Sequence, residues 1–178
     1  LHNFHFKLYG AMFLGQFDQA MSAVTKMRET IPDDLVRLES PPMVNWLEGY
    51  LAMETHALVR FGRWQELIDA PLPEDQAFYC MTTATHYYGQ GVAYAALGNH
   101  EAALQAQQDF EKAFETVGDY RYVHVVSCRQ ILGVAREMLA GEIAYHYGDY
   151  DSAFTHLRQA VENEDSLPYD EPWGWMMP

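Results

Sequence analysis

The chain has 178 residues, 49% of them hydrophobic: enough for a sizeable core in one domain or array, and too many for a disordered tail. Its 11 basic residues face 25 acidic ones, and the net charge of −14 argues against a nucleic-acid backbone as partner. No run approaches the roughly 20 apolar residues of a membrane-spanning helix, so no membrane partner is expected either.

From Glu137 to Pro178 nine acidic residues are offset by Arg158 alone, which reads as a solvated acidic face rather than a dock for a basic partner. Cys80 and Cys128 form no CxxC and fall in apolar helical stretches. They are expected to be buried structural thiols, which suits a reducing, cytoplasmic setting. The chain starts at Leu1 within what reads as a repeat and stops after a Trp-rich stretch, so it is expected to be a piece of a longer protein.

Along the chain, four apolar-periodic stretches are each broken by one phrase. Gly15-Gln16-Phe17-Asp18-Gln19-Ala20 returns as Gly62-Arg63-Trp64-Gln65-Glu66-Leu67, as Gly98-Asn99-His100-Glu101-Ala102-Ala103, and as Gly148-Asp149-Tyr150-Asp151-Ser152-Ala153. Glycine ends one helix in the left-handed conformation, the aromatic packs at the start of the next, and the small residue lets the two approach. The pattern predicts an all-α fold: an α-solenoid of four antiparallel hairpins, eight helices and no β-sheet. The units span about 1–32, 42–70, 76–118 and 124–164, and residues 165–178 read as the start of a truncated further repeat.

In the first unit Phe4, Leu8, Ala11 and Met12 share one helical face, and Ala20, Val24 and Met27 another, before Ile31-Pro32. In the second, Pro41-Pro42 opens a helix through Trp46, Leu47, Tyr50, Leu51 and Leu58, and Pro71-Leu72-Pro73 stops its partner early. The signature glycines lie 47, 36 and 50 residues apart, so the excess is expected in long first helices and in connections near 33–41, 71–75 and 119–123. Gly89-Gln90-Gly91 lies inside a helix and reads as small residues for helix packing, not as a dinucleotide turn.

Phe4, Gly15, Phe17, Ala20, Val24, Met27 and Pro32 fit, without a gap, the spacing of a tetratricopeptide repeat, which the first unit resembles; Lys7 and Leu8 depart from the family's leucine and glycine. The fourth unit, with Gly141, Gly148, Tyr150, Ala153, Leu157 and Ala160, fits nearly as well. His2-Asn3-Phe4-His5-Phe6, Arg60-Phe61-Gly62-Arg63-Trp64 and Tyr169-Asp170-Glu171-Pro172 are similar to stretches of uncharacterised bacterial tetratricopeptide proteins, which bring no known activity. In this family the first helix of each hairpin lines a concave groove that grips peptide segments. The resemblance carries that role to His2, His5, Tyr9, Phe13, His56, Arg60, Tyr88, Glu142, Tyr145 and His146. The groove lacks the lysine and asparagine set with which some relatives hold a C-terminal carboxylate.

The expected function is therefore a protein-interaction scaffold holding a partner's segment, or another part of its own chain, with the aromatics as apolar anchors and Arg60 as the charged contact. The alternative is a small-molecule or metal module of a larger enzyme, using His2, His5, His56 and Glu142; that needs the first and fourth units to converge. There is no nucleophile elbow and no HExxH, so neither catalysis nor a cofactor is expected. His86, His100, His124 and His156 fall off the groove. Trp173, Trp175, Met176 and Met177 end the chain among prolines, and are expected to fold back on the open face of the fourth hairpin or to mediate self-association there.

Overall fold

Gly15, Gly62, Gly98 and Gly148 all adopt the left-handed conformation, with φ of 67°, 64°, 75° and 88°. After each, the next residue donates its N–H to the carbonyl five positions back: Gln16 to Ala11, Arg63 to Leu58 and Asn99 to Tyr94 at 2.9 Å, and Asp149 to Ala144 at 3.0 Å. Each bond satisfies a carbonyl that the helix end leaves without a partner. One local motif thus reverses the chain four times.

The computed structural model describes residues 1–176 and is mostly helical. Helix α1 (His2–Phe13) pairs with α2 (Phe17–Glu29), and a short α3 (Asp33–Val36) occupies the connection that follows. Next come α4 (Val44–Leu51) and α5 (Met53–Arg60), separated at Ala52, and then α6 (Trp64–Asp69). Helix α7 (Cys80–Ala96) pairs with α8 (His100–Thr116), and α9 (Cys128–Tyr147) with α10 (Tyr150–Asp165). Between α8 and α9 lies an antiparallel ladder of β1 (Tyr122–Val123) and β2 (Val126–Ser127). Phe17, Trp64, His100 and Tyr150 each open the helix after their glycine, as the phrase predicts.

Each pair packs on its neighbours: α5 on α2, α7 on α5 and α6, and α9 on α7 and α8. Small residues set the closeness. Ala20, Ala103 and Ala153 are wholly buried. A Cβ on Gly91 would stand 2.6 Å from Leu139 Cδ1, and one on Gly89 would stand 2.9 Å from Leu67 Cδ2. The leucine that replaces alanine in the second phrase is accommodated by a glycine on the facing helix. Both cysteines are buried and unbridged, and burial pushes both thiols up.

The expectation of no β-sheet is overturned at residues 122–127. Tyr122, Val123, Val125 and Val126 are strand formers, and their two-residue loop puts His124 at φ 51°. The ladder is held against the helices by Arg121, whose Nη1 donates to Glu48 Oε2 (2.5 Å) and whose Nη2 donates to the Phe78 carbonyl (3.1 Å). Glu48 Oε1 also accepts the Thr82 N–H at 2.9 Å. Both members of the ion pair are buried. Burial raises the Glu48 carboxyl, and the Thr82 N–H and Arg121 draw it back down. A further bridge pairs Glu39 with Pro42.

Ala153 faces its own hairpin partner: a Cβ on Gly141 would come within 3.3 Å of the Ala153 carbonyl and 2.7 Å of Leu157. Ala153→Leu should therefore overpack the α9–α10 contact and cost about 1–3 kcal/mol. Thermal unfolding checks this; an unchanged midpoint would show that the contact is slack.

Candidate functional site

The site is organised by the segment after α10. Leu167, Asp170, Pro172, Gly174, Trp175 and Met176 are buried, and among the described residues beyond 165 there is no further helix. The Trp175 ring meets His56 edge-on with centroids 4.9 Å apart, and Tyr88 at 5.4 Å. Met176 Sδ meets Nε2 of His5. A Cβ on Gly174 would come within 3.1 Å of Ile131 Cδ1 and 3.3 Å of Val126, so the backbone passes closely between α9 and the ladder. The segment thus touches α1, α5, α7 and α9, the first helices of their hairpins.

This differs from the expected docking on the open face of the fourth hairpin. As far as Met176 the tail does fold back, but into the positions that the resemblance assigns to a ligand; Met177 lies outside the described residues. An indole and a thioether find a closed apolar wall there, worth roughly 1.5–3 kcal/mol for each side chain buried.

His5, His56 and Tyr88 lie beneath the tail and are fully enclosed. Tyr88 Oη, His56 Nδ1 and His5 Nδ1 have no hydrogen-bond partner among the described residues. His2 is exposed and stands over Phe6 (4.8 Å) and His124 (5.0 Å). Tyr9 packs on Phe13 at 4.7 Å, and Phe13 faces solvent. Arg60 is exposed, its Nε donating to the Met12 carbonyl at 3.4 Å. Glu142 is half-buried, 3.6 Å from His146 Nε2, and its carboxyl is pushed up by burial. Tyr145 is exposed, with its ring 5.7 Å from His146 and 5.4 Å from Tyr150.

The ten residues therefore fall into three groups. His2, His5, His56 and Tyr88 gather near the tail, Tyr9, Phe13 and Arg60 lie together where α1 and α5 end, and Glu142, Tyr145 and His146 lie towards the end of α9. Of the metal alternative, His5 has both His2 and His56 as neighbours, while Glu142 lies beside His146 on α9. The described residues contain no group of three or more His, Cys, Asp or Glu placed to hold an ion.

His124 belongs to the site although helical spacing leaves it out. From the tip of the β-ladder it reaches His5 (5.9 Å) and Tyr50 (5.6 Å), and its Nδ1 lies 3.1 Å from Asp170 Oδ1. The signal for it was the β-branched run around it. Of the other histidines set outside the groove, His156 Nδ1 lies 2.7 Å from Glu137 and His100 stacks edge-on against Tyr147.

These features define a mostly helical protein whose first helices enclose an apolar segment of the same chain. No family model, curated protein or solved structure matches it. No helix among the described residues is long and apolar enough to cross a membrane.

Burial holds the His56 imidazole down at about 4, and burial with the neighbouring His124, His56 and His2 holds His5 at about 3. Between about pH 6.5 and 4 the unfolded chain binds protons that the folded chain refuses, so stability falls as pH falls through that window. The His56 share of the loss is about 2 kcal/mol at pH 5. His56→Leu should shrink the drop in urea-unfolding free energy between pH 7 and pH 5 by that amount. An equal drop in both proteins would mean that His56 is not held neutral.

Proposed function

We propose that this chain is a tetratricopeptide-type scaffold whose groove, lined by the first helix of each hairpin, binds extended apolar protein segments. The observation that carries the reading is Trp175 enclosed between His56 and Tyr88, with Met176 on His5. The chain's own tail fills three of the positions that the family resemblance assigns to a ligand. The four identical glycine turns and the stacking of α5 on α2, α7 on α5 and α9 on α7 support the repeat assignment. Tyr9, Phe13, Arg60, Tyr145 and His146 remain half-buried or exposed, and are accessible to a partner's segment. Aromatic anchors with one cation suit an apolar peptide in an extended form, and nothing in this reading requires catalysis.

The test uses the full chain and its Trp175→Ala variant, with a fluorescein-labelled peptide of residues 168–178 added in trans. Removing the indole opens the wall that it fills. Anisotropy should show peptide binding to the variant at least about tenfold tighter than to the intact chain, whose own tail competes at high local concentration. Adding Tyr88→Ala to the variant should abolish it. A variant that keeps its helical circular dichroism yet binds no peptide overturns the reading.

A further inference from the structure

A second concavity lies away from the tail. Helix α6 has 6 residues where α2, α8 and α10 have 13, 17 and 16, because the chain turns extended at Ala70 and enters Pro71-Leu72-Pro73. The missing turns leave a cleft of about 650 Å³ bounded by α2, α5, α6, the 70–73 loop and α7. That volume is within the range of small-molecule sites. Its apolar lining includes Leu51, Leu58, Leu67, Pro71 and Leu72.

The polar lining is unbalanced. Three carboxylates, Glu54, Glu66 and Asp69, share the cleft with one guanidinium, Arg28. Arg28 Nη2 already donates to Glu54 Oε2 at 2.5 Å, and Glu66 pairs with Arg63. Asp69 Oδ1 accepts only from the Gln65 amide (2.9 Å) and has no cationic partner among the described residues. His86, also in the lining, is more than nine-tenths buried, and its Nε2 has no partner among the described residues. Burial lowers its affinity for a proton, so at neutral pH it adds no positive charge.

We infer that this cleft binds a small organic cation with an apolar body, such as a primary amine on an aryl or alkyl group. The ammonium pairs with Asp69, and the body lies over Leu58 and Leu67. His86 Nε2, without a partner among the described residues, lies in the wall of the same cleft. An organic anion of the same shape meets the uncompensated Asp69 carboxylate and is disfavoured, and the chain's net charge of −14 concentrates cations near the surface. The site is independent of the groove proposed above: its lining shares no residue with the tail's contacts.

The probes are phenethylamine and, with the charge reversed, 3-phenylpropionate, each titrated into the ¹⁵N-labelled full chain. Phenethylamine should give saturable shifts at Thr55, Leu67, Thr82 and His86 amides in the millimolar range or tighter, while 3-phenylpropionate gives none there. Asp69→Asn, at an exposed position where folding is undisturbed, should weaken the amine by about tenfold or more, the worth of one charge-assisted hydrogen bond. Equal binding of both probes, undiminished binding to the variant, or no saturable shift with phenethylamine would each overturn the inference.

Discussion

The contact on which the tail-bearing side depends is the buried pair of Glu48 and Arg121. Two charges leave water here, at a cost that pays off only because their remaining hydrogen bonds are met by the Phe78 carbonyl and the Thr82 N–H. The Arg121 carbonyl also accepts the N–H of Cys128 (2.8 Å), which fixes where α9 begins. With Arg121 fixed, Val123 is pressed against Gly49, where a Cβ would stand 2.2 Å from its Cγ2. His124 is then delivered beside His5 and Tyr50, and through Asp170 it holds the tail. Helix, ladder and tail are three links hanging from one ion pair.

The histidines show how far environment overrides residue type. His5 and His56 are kept neutral by enclosure, and serve as flat, weakly polar walls for Trp175 and Met176. His124, tied to a carboxylate, anchors the tail instead. A sequence rich in histidine invites a metal reading, but the two imidazoles at the bottom of the packed groove, His5 and His56, meet Tyr50 and Trp175 edge to face. What separates the two is which atoms lie opposite them.

The helical pairs and the burial of Ala20, Ala103 and Ala153 were legible because they follow from short-range rules: glycine freedom, helical period and side-chain volume. The early stop of α6 was equally plain from Pro71 and Pro73. The ladder at 122–127 was missed because a two-residue strand sits below the length at which alternation is readable, and because its stability comes from Arg121, 73 residues from its partner. The tail's apolar residues marked it as needing cover. Its destination was hidden, because His5, His56 and Tyr88 are brought together only by the stacking of separate hairpins. Sequence pattern shows which surfaces are sticky; packing decides which two of them meet.

Trp175 and Met176 are covered by their own chain, and this fixes how the fold responds to dilution. A cover supplied by a second molecule would be lost as concentration fell, and unfolding would then depend on protein concentration. An intramolecular cover stays at constant local concentration, typically millimolar for a short connection. Under the proposed scaffold reading, an incoming segment would compete with that fixed neighbour, and its apparent affinity would be lowered by the fraction of time the groove stands open. At one opening in a hundred, a segment of intrinsic micromolar affinity would bind as though about a hundredfold weaker, and groove occupancy would follow the abundance of the competitor instead of the abundance of this chain.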